Sequence, residues 1–586
     1  MPDRGINQYT VPVQSEELRA AEAHIARLEE ELLRLKDVKQ DLQVLREEHQ
    51  RLRRSAEGRV ANILSAPFRL FRRWQRTDAI EQDEYGRWFA GHRVSAEEAA
   101  KLREQSRTFS YRPLISILTP TFNPNGEFLR AAVESIIAQA YENWELILVD
   151  DGSSDPRVRA LLKILGQGDA RIQIGVQEHG GISSALNTGL ARARGDWIAL
   201  LDHDDLVEPD ALFRAIDLLQ NDPEADVIYS DEDKIVDGRL AAPLLKPDWS
   251  PEFFRTHDYL GHFVVMRRDL ARTEFRSEFD GAQDYDLLLR VSEKTDRIRH
   301  IPRVLYHWRR TSESTAHNIR RKPGALEAGR RAIEEHLVRR QEKGRVTIEW
   351  ETHLYCVRRE IRSEKISIII NGAAARDAER IRAKTNFPNF EIVANRKEAT
   401  GEYLLFLDSD LEPLDENWLS AMAEQLSNPK IGAVGARIVS SDDTIESAGL
   451  ILLPNGSAGS AFAGYPRNFR GANRQLQAVR NYSAVSASCL LTRREVFEKT
   501  ASVNTGSFDF AREDRVCVGT EFCLNLREHG LRTVSIPYAE VRRASKRENA
   551  RATYQDLQER WPEMFRRDPY YNPNLSGERA DFSLRT

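Results

Sequence analysis

Trp197-Ile-Ala-Leu-Leu-Asp-His-Asp-Asp205 is an apolar run that ends in acids, and the chain uses the same pattern twice earlier. Ile115-Ser-Ile-Leu runs into Thr119-Pro-Thr-Phe-Asn123, and Glu145-Leu-Ile-Leu-Val runs into Asp150-Asp-Gly-Ser-Ser-Asp155. Short β-rich runs alternating with helical segments predict an α/β fold on a parallel sheet, in which ligands bind beyond the carboxyl ends of the strands. Those ends carry Asp150, Asp151, Asp202, Asp204 and Asp205. Carboxylates repel phosphate, so this edge suits a hard divalent cation set between the acids and a diphosphate. The expected ligand is a metal-bound nucleotide.

Composition sets the bounds. With 586 residues and 41% hydrophobic content, the chain has material for two cored domains and accessory segments. A net charge of -5 gives no case for nucleic-acid binding. The four cysteines, Cys356, Cys489, Cys517 and Cys523, lack paired zinc spacing, which fits a reduced, cytoplasmic setting. No apolar stretch approaches the roughly 18 residues of a membrane span, and Met1 to Gln14 has no signal-peptide core. Any membrane contact is expected to be peripheral, at the inner face of the cell membrane.

After a polar tail (1–14), Leu18, Ile25, Leu28, Leu32, Leu35, Leu42, Leu45 and Leu52 recur at three-and-four spacing, which predicts a coiled coil over 15–57 with a stammer between Leu35 and Val38. Either it makes a homo-oligomer or it is a solitary charged helix packed on the body. Arg51 to Arg76 holds eight arginines against the single acid Glu57, interleaved with Leu64, Phe68, Leu70, Phe71 and Trp74. This basic amphipathic stretch, placed in a segment and helical linker over 58–110, reads as a membrane-surface element or as a docking helix. The first α/β domain is assigned to 111–318, a connector to 319–364, a second α/β domain to 365–546 and an extension to 547–586.

The second domain repeats the first. Asn389-Phe-Glu-Ile-Val parallels Asn143-Trp-Glu-Leu-Ile, and Gly401-Glu-Tyr-Leu-Leu-Phe-Leu-Asp-Ser-Asp410 parallels Gly195-Asp-Trp-Ile-Ala-Leu-Leu-Asp-His-Asp204.

Pro120-Thr-Phe-Asn123, Val149-Asp-Asp-Gly-Ser-Ser-Asp155, Asn187 with Gly189, Leu201-Asp-His-Asp-Asp205 and Gly281-Ala-Gln-Asp-Tyr-Asp286 together resemble the family-two inverting glycosyltransferases of GT-A type. Tyr229-Ser-Asp-Glu-Asp-Lys234, Lys246-Pro-Asp-Trp-Ser-Pro251 and His300-Ile-Pro-Arg-Val-Leu-Tyr-His307 resemble the branch that builds bacterial surface polysaccharides, O-antigens and rhamnans among them. The resemblance implies tandem Rossmann-like GT-A domains behind the coiled coil. It implies a nucleotide-sugar donor resting on Thr119, Pro120, Asp150, Asp151 and Asp202, and Mg²⁺ or Mn²⁺ held by Asp202 and Asp204, with His307 as a third ligand or an ordinary packed residue. The acceptor it implies is a growing glycan or a lipid-linked saccharide. Asp284 matches the position of the family's base, which takes the acceptor's proton; its other reading is a helix cap. Gln283 stands where the family usually has glutamate. Asp231, Glu232 and Asp233 are read as acceptor-side acids or solvated charges, and Trp249 as a sugar platform or a packing anchor.

The second repeat loses chemistry. Ile366 to Ile370 runs into Asn371-Gly; Arg396-Lys397 replace Asp150-Asp151; Gly519 falls where Asp284 sits, Glu521 replaces Asp286, and Arg542 is matched to His307. Ile366 stands 42 positions before Asp408, against 87 from Ile115 to Asp202. The expectation is a non-catalytic repeat that grips a glycan or braces the active one; activity in both repeats would need Glu521 or another acid as base. No P-loop motif occurs, nor the glycine-rich loop of a nucleotidyltransferase. The alternative from another class is a scaffold that binds glycans or nucleotide sugars without turnover.

Overall fold

The computed structural model describes residues 82–310, 323–361, 364–370, 375–503, 514–544 and 554–585. The coiled-coil and basic-segment expectations for 15–76 lie outside the described residues, as does Asn371-Gly. Residues 77–586 form one compact unit.

The first half is a nine-stranded sheet built from β1 (Ile115–Thr121), β2 (Trp144–Asp150), β3 (Ile172–Val176), β4 (Trp197–Leu200), β5 (Leu206–Val207), β6 (Val227–Val236), β7 (Arg239–Leu244), β8 (Val264–Arg267) and β9 (Ile298–Arg309). Its order is β3-β2-β1-β4-β8-β6-β9-β5, with β7 beside β6. The expectation of a parallel sheet needs correction, because only part of it is parallel. β1 to β4 run parallel, but β8 pairs antiparallel with both β4 and β6, and β5 pairs antiparallel with β9. β1 and β2 are buried almost throughout because helices cover both faces, which is why they read as continuous apolar runs. The intervening helices start on side-chain caps: Asn125 accepts from the amides of Glu127 and Phe128, and Asp155 accepts from Arg157 ahead of Pro156.

A hairpin, β10 (Gly344–Glu349) and β11 (Leu354–Arg359), follows the helix Pro323–Arg339. The second half then supplies β12 (Ile366–Ile369), β13 (Phe390–Val393), β14 (Tyr403–Leu407), β15 (Leu411–Pro413), β16 (Ile431–Val439), β17 (Ile445–Ser447), β18 (Leu450–Leu452), β19 (Ala458–Ser460), β20 (Arg480–Tyr482), β21 (Cys489–Arg493) and β22 (Arg532–Arg543). Its sheet runs β13-β12-β14-β21-β16-β22-β15, the order of the first half without a partner for β3.

The duplication is kept at the edge remote from the chemistry. Ser116 donates to Glu145 at 2.6 Å and accepts from the Gly195 amide at 2.9 Å; Ser367 donates to Glu391 at 2.6 Å and accepts from the Gly401 amide at 2.8 Å. A Cβ on Gly195 would lie 2.4 Å from the Leu114 carbonyl, and one on Gly401 2.5 Å from that of Lys365, so both positions demand glycine.

The halves pack through polar and apolar contacts. Glu252 is buried and pairs with Arg532 at 2.7 Å, and Asn481 donates to it at 2.6 Å. Tyr85 and Phe89 of the helix Gln82–His92 share a cluster with Leu245 and Val304 of the first half, Ile451 and Phe462 of the second, and Tyr571 and Phe582 near the chain end. Among the described residues no helix is long and apolar enough to cross a membrane.

Candidate active site

The carboxyl ends of β1, β2 and β4 open into a cleft of about 1020 Å³ lined by Pro120, Phe122, Asp151, His179, Asp202, Asp204 and Arg309, among others. Phe122 and His179 stack at 4.3 Å, one from each loop. Asp151 accepts from the amides of Gly180 and Gly181 at 2.8 and 2.9 Å and from Gln177 at 2.7 Å, so its carboxylate is fixed by backbone that precedes the helix Ile182–Arg192. Of the residues read for the donor, Pro120, Asp151 and Asp202 meet in this cleft. Thr119 and Asp150 do not line it: they are 2% and 0% exposed. Asp150 accepts from the Ser153 amide through one oxygen, while its Oδ2 and the Thr119 hydroxyl are buried without a hydrogen-bond partner. Buried polar atoms left unpaired are uncommon and costly, and here they sit beneath the cleft floor.

Asp202 is half-buried, and its proton affinity is raised: burial is the largest cause, and Asp204 and Asp284 add to it while His262 opposes. That site is short of positive charge. Carboxylate oxygens of Asp202 and Asp205 and a ring nitrogen of His262 lie within 4.8 Å of one another. Asp205 is already engaged, accepting from the Tyr306 hydroxyl at 2.7 Å and the Arg309 amide at 2.7 Å. Asp202 and His262 remain, with Asp204 in the same cleft; His262 Nδ1 faces Glu232 at 3.4 Å, so the ring would have to give up its proton and that contact to serve as a ligand. Oxygen donors with one imidazole fit Mn²⁺ well and Mg²⁺ acceptably. Burial opposes charge on His262, yet Glu232, Asp205 and Asp202 push it up to about 10.

His307 is not among these donors, and the expectation of a metal ligand is corrected. Its Nδ1 meets Asp233 at 2.6 Å and its Nε2 meets Glu208 at 2.8 Å, so both nitrogens are used inside the sheet. The three acids read as acceptor contacts are internal as well. Asp231 accepts from Asn572 and faces His300, Glu232 pairs with Lys246 at 3.0 Å, and Asp233 accepts from the Tyr85 hydroxyl at 2.5 Å. Trp249 is half-buried and packs on Phe254 at 5.3 Å.

Asp284 lies in the first turn of the helix Gln283–Ser292, whose cap residue is Ala282. It accepts from the Tyr285 amide at 2.8 Å and stays partly open. Asp286, two residues on, is wholly buried and paired with Arg276 and with Arg290, which makes it structural. Gln283 is spent on the Gly281 amide at 2.8 Å. Arg309, which the sequence reading passed over, stacks its guanidinium on Phe128 at 4.3 Å and donates to the Asp204 carbonyl at 2.8 Å.

In the second half Arg543 occupies the corresponding centre. It is 1% exposed, meets Asp410 at 2.6 Å and Glu446 at 2.8 Å, and faces Asp408, which Arg515 also reaches at 2.7 Å. Strand register keeps Arg542 as the counterpart of His307, since β6 aligns Asp233 with His307 and β16 aligns the equivalent Val439 with Arg542; Arg543 is the next residue along the strand. Glu521 is paired with Arg560 at 2.9 Å.

Residues 116–275 and 392–501 both match the family model described as Glycosyl transferase family 2. The chain thus carries the Glycosyl transferase family 2 domain twice. A protein of Sinorhizobium fredii named y4gI is 34% identical over 551 residues, covering 83% of this chain and 60% of its own. The O-antigen biosynthesis protein RfbC of Myxococcus xanthus is 32% identical over 592 residues, covering 91% of this chain and 46% of its own. The chain thus spans about half the length of these curated relatives. The crystal structure of S. aureus TarS 1-349 in complex with UDP-GlcNAc aligns with 38% of this chain and 66% of that one, at 20% identity and a TM-score of 0.33.

Proposed function

We propose that the first half is a metal-dependent inverting glycosyltransferase. It moves a sugar from a nucleoside-diphosphate donor to a hydroxyl of a growing glycan or lipid-linked saccharide during surface-polysaccharide synthesis. The observation that carries this reading is the convergence of Pro120, Asp151, Asp202 and Asp204 on one cleft, with Asp284 close enough to raise the proton affinity of Asp202. The similarity to RfbC supports the polysaccharide setting.

The Phe122–His179 platform and Asp151 take the nucleoside, with the unpartnered Thr119 hydroxyl and Asp150 Oδ2 beneath it. Asp202, Asp204 and His262 would hold the divalent cation, which supplies charge neutralisation for the departing diphosphate. Arg309 lines the same cleft and presents a guanidinium to phosphate oxygens. Asp284 accepts the proton of the acceptor hydroxyl as that oxygen attacks the anomeric carbon from the face opposite the leaving group, which inverts its configuration.

The second half serves as a brace. Its cation position is filled by the buried Arg543, and Glu521, the acid nearest to the place of the base, is held by Arg560.

The test is release of nucleoside diphosphate from UDP-, dTDP- and GDP-sugars, with Mg²⁺ or Mn²⁺ and with EDTA, by wild type, Asp204→Ala and Asp284→Asn. Metal-dependent release from one donor, lost in both variants, supports the transferase. Donor binding with no turnover under any condition would move the reading to a non-catalytic scaffold.

A further inference from the structure

Between the helix Pro251–Phe254 and β8 the chain forms a loop that is pinned at both ends. The Thr256 carbonyl accepts from the Tyr355 amide of β11 at 2.9 Å. On the other side Lys246 donates to the Leu260 carbonyl at 2.6 Å while paired with Glu232. Gly261 has φ +69°, and a Cβ there would lie 2.2 Å from a Glu232 oxygen, so the loop closes against that carboxylate. Asp258 rides in the middle of this fixed segment.

Its carboxyl group differs from those around it. Asp231, Glu232, Asp233 and Glu252 all have partners within the fold. Asp258 Oδ1 is buried and accepts no hydrogen bond, although the residue as a whole is half-buried. Leaving such an oxygen unpaired is costly, and rigid support around an unpaired polar group is what a preorganised binding contact requires. Burial and then Asp284 push Asp258 up to about 8. The loop is held to the helix that carries Asp284, because the Tyr285 hydroxyl donates to the Phe254 carbonyl at 2.5 Å. The Tyr355 phenol senses both carboxylates, and Tyr355 stacks at 6.0 Å on Tyr285, the residue after the candidate base. Tyr285 and Tyr355 are both buried in the core, so these rings fix the start of the helix that carries Asp284 relative to the Asp258 loop.

We infer that Asp258 is an acceptor-binding residue: it hydrogen-bonds a hydroxyl adjacent to the one that Asp284 deprotonates, so the acceptor is a saccharide that presents two neighbouring hydroxyls. This rests on the transferase reading of the first half. Asp258 sets acceptor position and choice, whereas Asp284 acts on the reacting oxygen.

The experiment uses the full chain, the donor identified by nucleotide release, and methyl glycosides as acceptor probes, each beside its deoxy analogue lacking the hydroxyl next to the acceptor position. Wild type is expected to prefer the complete glycoside about tenfold, the size of one hydrogen bond. Asp258→Asn and Asp258→Ala should raise the KM for the glycoside by about that factor and abolish the preference, with the KM for donor unchanged; Asp284→Asn should lower kcat and keep the preference. A preference that survives both Asp258 variants overturns the assignment, as does a parallel rise in donor KM, which would mark a general disturbance. Nucleotide release that no glycoside accelerates also overturns it. Wild type inert toward every donor instead brings down the transferase reading, and this inference with it.

Discussion

Replacing Glu252 by glutamine keeps the side-chain shape and removes only the charge. In the structure this carboxylate lies 3% exposed in the helix Pro251–Phe254, and its hydrogen bonds come from the second half, Arg532 at 2.7 and 2.9 Å, Asn481 at 2.6 Å and Asn428 at 3.3 Å, while Arg255 adds a charge from the first. Burial alone would raise its proton affinity, yet Arg532 and the amides bring it down to about 2 from the ordinary 4.5. At ~1.4 kcal/mol per pH unit that interval amounts to ~3 kcal/mol, in line with the ~3–5 kcal/mol lost when one partner of a buried ion pair is removed. Because the folded value is depressed, the contribution is complete above pH 4.5 and disappears as pH falls through about 2. The assay is urea unfolding of wild type and Glu252→Gln from pH 7 down to pH 3, followed by tryptophan fluorescence, with limited proteolysis to report separation of the halves. The expected result is a variant weaker by ~3 kcal/mol at pH 7, with the gap narrowing below pH 4.5. The Asp258 loop leaves from this same helix, so acceptor KM should rise as well. A difference under ~1 kcal/mol at pH 7, or one that does not change with pH, would refute the view that this ion pair locks the brace to the active half.

His307→Ala is expected to leave the metal concentration for half-maximal activity unchanged while costing ~3 kcal/mol, because Asp233 and Glu208 lose their shared partner. Burial disfavours the charged ring, but the two carboxylates push His307 up to about 9, so its contribution is full below pH 6.5 and lost as pH rises through about 9; the variant's stability curve should lack that alkaline decline. Arg543→Ala should lower the melting temperature, since it takes a buried cation from Asp408, Asp410 and Glu446, yet leave nucleotide release by the first half in place; loss of turnover with an intact fold would contradict the brace reading. Glu521→Gln, measured by the same release assay, is expected to retain wild-type turnover, and a hundredfold drop would instead assign a base to the second half.

The sequence by itself determined the strands whose ends make the donor cleft and the fact that the pattern occurs twice. Pro120, Asp151, Asp202 and Asp204 follow β1, β2 and β4, which run parallel, so a rule that looks beyond carboxyl ends finds them. Gly195 and Gly401 were equally legible, because close backbone approach admits nothing larger. Tertiary structure alone decided the rest. β8 runs antiparallel to β4, so the residues before β8, His262 and Asp258, arrive at the edge reached by the residues after β4, and no local pattern announces that reversal. His307 looked available because its motif ends an apolar strand, but β9 lies between β6 and β5, and that placement hands both ring nitrogens to Asp233 and Glu208. The acids Asp231, Glu232 and Asp233 read as acceptor contacts or solvated charge until the fold supplied His300, Lys246 and Tyr85 from distant segments. Local sequence fixes which groups a strand end offers; pairing direction and the partners that burial brings together decide which of them remain free to act.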